Sequence, residues 1–183
     1  MFDGLVRIVD RLIELRKYRE ERNLRLFNSS VNKIYEDMRE VHADYLVIFK
    51  SCEDALNKNT PLREIADTIT SERLRYEPTR VQIKAMLWEL VDKPELASYK
   101  ELLTGLISYF SLIEGLTRPG TPSAALLDLL EAAESNSLGD IEGQFNEKKQ
   151  ETVRKTVSAH LQLLRDRWNE LSRLYAKAYS KAL

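Results

Sequence analysis

All five prolines of this 183-residue chain (Pro61, Pro78, Pro94, Pro119 and Pro122) fall between residues 61 and 122. Proline suits the first turn of a helix and breaks its interior, because it lacks an N–H and its ring crowds the preceding turn. The two proline-free flanks can therefore hold long helices, and the middle is expected to hold short ones. Six glycines are few for a sheet protein with many tight turns, which points the same way.

Apolar periodicity supports helices in both flanks. Leu5, Ile8, Leu12 and Leu15 recur at spacings of three and four, widened by Val9 and Ile13. The segment RKYREERNLR, residues 16 to 25, then puts Arg19 and Arg22 on the seam. The pattern resumes in a shifted phase at Phe27, Val31, Ile34, Met38, Val41, Tyr45, Ile48, Cys52 and Leu56. One long helix with a phase slip near residues 16 to 26 fits, and so do two helices with a bend. The C-terminal flank carries Val153, Val157, His160, Leu164, Trp168, Leu171, Tyr175 and Ala178 at helical spacing.

In the middle, Thr60 before Pro61 reads as an N-cap opening a short helix with Leu62, Ile65, Ala66 and Ile69 inward. Glu77-Pro78 is expected to open another, with Val81, Ile83, Met86, Leu87, Leu90 and Val91 on its apolar side. Asp92 and Glu95 resemble a capping box at the head of a central helix, 95–116. Its seam is Leu96, Tyr99, Leu103, Leu106, Phe110 and Ile113, and a second stripe of Thr104, Ser108, Ser111 and Gly115 is the expected place of closest helix contact. With Lys100, Glu101 and Glu114 bounding it, the apolar run falls short of the ~20 residues that cross a bilayer, so it reads as a buried core helix and not an integral membrane span. Thr117 to Thr121 is a turn by composition, and Thr121-Pro122 starts a helix through Leu126, Leu127, Leu129 and Leu130. Residues 135 to 144 read as a mobile loop.

The fold class is therefore all-α: one domain, 1–183, forming a single bundle of about six helices. Residues 1–26 make a partner-docking helix, 27–57 a long helix, 61–134 short helices around the central one, and 145–181 a long C-terminal helix. The two long terminal helices enclose the rest.

Chemistry is sparse. Di-iron bundles use Glu-x-x-His on two helices, but Arg39 and Val157 stand three residues before His42 and His160. One cysteine and two separated histidines make a poor zinc set, and no cofactor is expected. No G-x-S-x-G, Walker or dinucleotide motif occurs, and no enzyme activity is expected. Cys52 lies on an apolar stripe and reads as a core thiol, with a dyad to His42 or His160 as the sharper alternative. The two histidines fall near the middle of their helices and read as two separately satisfied boundary residues; they would meet in one layer only if those helices paired with central registers aligned.

The net charge of -1 makes no overall demand for nucleic acid or an anionic surface. Charges at Asp3, Arg7, Asp10 and Arg11 interrupt the first stripe, so it does not read as a signal peptide, and the lone cysteine suits a reducing cytoplasm. Charge is nevertheless uneven: residues 16 to 25 hold five bases against two acids, while 119 to 147 hold six acids and no base. The expected function is a non-catalytic interaction protein, an adaptor or accessory subunit that meets a protein partner or a second copy through Phe2, Leu5, Ile8, Val9, Leu12 and Leu15. The alternatives are nucleic-acid binding through phosphate contacts from Arg16, Lys17, Arg19, Arg22 and Arg25, or membrane-surface association through residues 2–15.

Overall fold

The computed structural model describes residues 2–113, 121–135 and 144–183, with side chains described at all of these except 2–10, 12, 13, 15, 75, 76 and 144–148. Among the described residues the chain is an all-α bundle of six helices: α1 (Phe2–Leu26), α2 (Lys33–Asn57), α3 (Leu62–Val91), α4 (Lys100–Tyr109), α5 (Pro122–Ser135) and α6 (Gln144–Ala182). A π-helical turn, Phe27–Asn32, joins α1 to α2, and a 3-10 turn, Pro94–Tyr99, precedes α4. None of these helices is long and apolar enough to cross a membrane.

The two N-terminal stripes belong to one continuous helix. Leu26 and Lys33, on either side of the π turn, both keep right-handed helical backbone angles. A π turn accommodates one extra residue, which is the offset that shifted the apolar phase between α1 and α2. The slip lies at 27–32, just beyond the basic segment. It sets Phe27 and Val31 fully inside the core, and the whole stripe from Phe27 to Leu56 is buried.

Helix α6 packs antiparallel on α2, and side-chain contacts record the register along its length. Arg154 Nη2 donates to the Leu56 carbonyl at 2.9 Å and the Ser158 hydroxyl to Glu53 at 2.7 Å. Further along, Tyr35 shares a 3.0 Å hydrogen bond with Ser172, and the Tyr175 hydroxyl donates to Asn32 at 2.5 Å. Helix α4 lies against α3 and α6, and α5 closes the bundle mainly against α3.

The middle is built differently from its sequence reading. Helix α3 does not end before Pro78 but runs through it, so Glu77-Pro78 opens nothing. Pro78 and Leu74, whose carbonyl loses its donor to the proline, both lie on the exposed face, where water can take the donor's place. Val81, expected inward, is exposed for the same reason of phase. Thr60 is not the N-cap of α3: Pro61 holds that position with no side-chain cap, and Asn59, at φ 56°, reverses the chain after α2. Thr121 does cap α5, accepting from the Ala124 N–H at 3.3 Å.

The central stretch is not one helix over 95–116. Asp92 ends α3, Lys93 is extended, and Pro94 starts the 3-10 turn, so the capping box does not form. Helix α4 then covers ten residues and gives way to turns at Phe110. Its seam is nevertheless buried throughout, from Leu96 to Ile113. The small stripe is a correction: Thr104, Ser108 and Ser111 face solvent, the Ser108 hydroxyl bonding back to the Thr104 carbonyl at 2.9 Å. Gly105 makes the close approach instead, since a Cβ there would stand 2.9 Å from Leu171 Cδ2 on α6. Gly115, the turn at 117–120 and the loop at 136–143 lie outside the described residues.

Candidate functional site

Helices α2 and α3 leave a groove of about 660 Å³ between them, with Arg80 at its floor. The Arg80 side chain is 1% exposed. Its guanidinium pairs with Asp44, stands 3.7 Å from Glu77, donates to the Ser123 hydroxyl at 3.4 Å and lies 4.7 Å above the Tyr45 ring. Burial pushes the Tyr45 phenol up, and the neighbouring Arg80 charge offsets only part of that. Arg73, 3.5 Å from Glu77, supplies the second cation, so two carboxylates and two arginines leave this cluster neutralised by its own members, which is how a buried charge is tolerated. Asp37 and Glu40 on the rim have no ion-pair partner among the described residues. The arrangement ties α2, α3 and α5 together and presents no nucleophile beside a base.

The histidines are kept apart by the helix register. His42 shares a 2.5 Å hydrogen bond with the Tyr109 hydroxyl and stacks on Trp168 at 4.6 Å. His160 lies edge-on to Phe49 at 6.4 Å. Their partners are seven and eight residues from the other histidine, about 11 Å along a helix, so the two imidazoles occupy different layers. Burial, aided by the Arg165 charge, lowers His42 to about 4, and burial lowers His160 as well. Cys52 is a buried free thiol pushed up to about 12 by desolvation, far from the thiolate a nucleophile needs. Among the described residues no group of three or more His, Cys, Asp or Glu is placed to hold a metal ion.

The candidate interaction residues fall into two sets. Phe2, Leu5, Ile8, Val9, Leu12 and Leu15 are on α1, but their side chains lie outside the described residues. Arg16, Lys17, Arg19, Arg22 and Arg25 are all exposed, and no side chain from 16 to 25 is buried. Arg16 pairs with Glu20 at 2.8 Å and Arg25 with Glu21 at 3.2 Å, leaving Lys17, Arg19 and Arg22 without an ion-pair partner among the described residues.

A third set went unread in the sequence. Leu74, Pro78, Val81, Ala85 and Trp88 follow one another at spacings of four, three, four and three along α3, and every one is exposed. Leu74 is 62% exposed, Val81 60% and Trp88 54%. The opposite face of α3 carries Ile65, Ile69, Arg80, Ile83 and Leu87 into the core. The signal was present as spacing, but taking Pro78 for a helix start separates Leu74 from Val81 and hides the stripe. No family model, curated protein or solved structure matches this chain.

Proposed function

We propose that this chain is a non-catalytic helical interaction protein, an adaptor or accessory subunit of a larger protein assembly. The outward stripe of α3 carries the reading. Scattered apolar residues are ordinary on a surface, but five in helical register, ending in a half-exposed tryptophan, form a continuous face of the kind that binds protein. The stripe spans about 21 Å, the length of the anchor row by which one helix engages another. Rigid support comes from behind, because the same helix is held in the core by Ile69, Arg80, Ile83 and Leu87.

The nucleic-acid alternative through Arg16, Lys17, Arg19, Arg22 and Arg25 draws less support, since Glu20 and Glu21 pair with the two ends of that segment. The test is recovery of the tagged chain from its native cell with mass measurement of what accompanies it. The wild type is expected in a complex heavier than its own 21.3 kDa. The Leu74→Asp/Trp88→Asp variant is expected alone, with unchanged helix content. A complex of the same mass in both would overturn the assignment to α3.

A further inference from the structure

The bare face of α3 has a two-fold pattern. Leu74 and Trp88 each stand seven residues from Val81, and Pro78 and Ala85 stand three and four residues from it on opposite sides. Large side chains therefore mark both ends, and small ones the middle. The ends also complement each other. Residue 78 is a proline, so the Leu74 carbonyl lacks its helical donor, while the Trp88 indole N–H has no acceptor among the described residues. On one flank of the stripe, Glu77 lies four residues before Val81 and Lys84 three after it. Lys84 has no ion-pair partner among the described residues, and the Glu77 side chain keeps 26% of its surface exposed.

We propose that the partner on this face is a second copy of the chain, its α3 antiparallel to the first about a two-fold axis at Val81. The inference rests on the reading of the stripe as a protein interface and names the protein. In that pair Val81 meets its own copy, and the small Pro78 and Ala85 let the helix axes approach to about 8 Å. Leu74 packs under Trp88 of the second copy, whose indole N–H is then placed to donate to the orphaned carbonyl. A two-fold axis across the helices sets each flank against the same flank in reverse. Lys84 therefore meets Glu77 of the second copy, and the contact occurs twice. A parallel pair would set Trp88 on Trp88 and Leu74 on Leu74, leaving the indole donor and the free carbonyl about 21 Å apart. The contact measures about 21 Å by about 10 Å, small beside the ~800 Å² per partner of a standard interface, so the dimer is expected to exchange in the micromolar range.

Analytical ultracentrifugation of the purified full chain between about 1 and 100 µM tests the pairing, and cysteine cross-linking tests its register. The mass is expected to rise with concentration from 21.3 kDa toward twice that value. Leu74→Asp/Trp88→Asp is expected to stay at 21.3 kDa with unchanged helix content. Val81→Cys is expected to form a disulfide between copies under mild oxidation, with no competition from Cys52, which is buried. Leu74→Cys and Trp88→Cys are each expected to cross-link poorly alone and readily when mixed. A dimer that survives Leu74→Asp/Trp88→Asp overturns the proposal, as does self-linking of Leu74→Cys and of Trp88→Cys without a mixed product. A wild type still monomeric at about 100 µM overturns it too. In that case a cross-linked adduct of another mass from position 81 in the native cell would leave the face a protein interface, and no adduct would remove both readings.

Discussion

The stripes of α2 and α3 share a spacing and have opposite fates. Phe27 to Leu56 repeats every three or four residues and is buried at every position; Leu74 to Trp88 does the same and is exposed at every position. Helix α2 receives α6 along its apolar side, with the Tyr35, His42 and Phe49 rings meeting Tyr175, Trp168 and His160 in turn. Helix α3 uses a different side for the core and leaves its stripe to solvent. Periodicity says that a face is apolar. What covers the face is a tertiary fact, and a face that the chain itself leaves bare is where a partner is expected.

The contrast can be sharpened first where the loss is largest. Phe110→Ala removes a ring that is fully buried at the end of α4 and is expected to cost about 3–5 kcal/mol in a urea melt. An effect below about 1 kcal/mol would mean the seam of α4 is not core.

A pH titration probes the α2–α6 layer next. His42 is held neutral in the fold, at about 4, against 6.5 for the free side chain. The unfolded chain therefore binds the extra proton first, so stability is full above about pH 6.5 and falls as pH drops toward 4, then levels. The loss is expected to be about 3 kcal/mol, with His160 adding in the same direction. His42→Gln should flatten most of the slope, and an unchanged slope would place its origin elsewhere.

The glycine of α4 provides a finer comparison between neighbours. Gly105→Leu must displace Leu171 and is expected to cost about 1–3 kcal/mol, whereas Thr104→Leu on the exposed side should stay within about 0.5 kcal/mol. Equal costs would return the small stripe to the contact it was first assigned.

These residues also show how much was legible. The all-α class, the two long terminal helices and the buried seams followed from periodicity, because every seam residue of α2 and of the central stretch repeats at helical spacing. Helix boundaries were less legible wherever one residue carried a double meaning. Pro78 reads as a start, yet it is tolerated inside α3 because its missing donor falls on a face open to water. Thr104, Ser108 and Ser111 read as a contact, yet smallness suits a solvent face as well, and only Gly105, on the buried side, is placed where a side chain would collide. The π turn was visible solely as a phase shift, since sequence spacing cannot tell an extra residue within a helix from a bend between two. The two histidines keep separate partners, the reading their sequence positions favoured; whether they could share a layer turned on register, which depends on how α2 and α6 slide and not on where each histidine sits in its own helix.

The smallest expected effect on stability comes from the α3 stripe itself. Val81→Asp/Trp88→Asp should melt within about 0.5 kcal/mol of the wild type, because neither side chain supports the core. Its consequence for association should be the largest of any surface change. The most direct test is site-specific photo-cross-linking in the native cell from position 81, compared with position 162 on the exposed face of α6. A covalent adduct of one defined mass from position 81, absent from position 162 and lost on Trp88→Asp, is the expected result. No adduct, or the same adducts from both positions, would contradict the claim that the bare face of α3 is a protein interface.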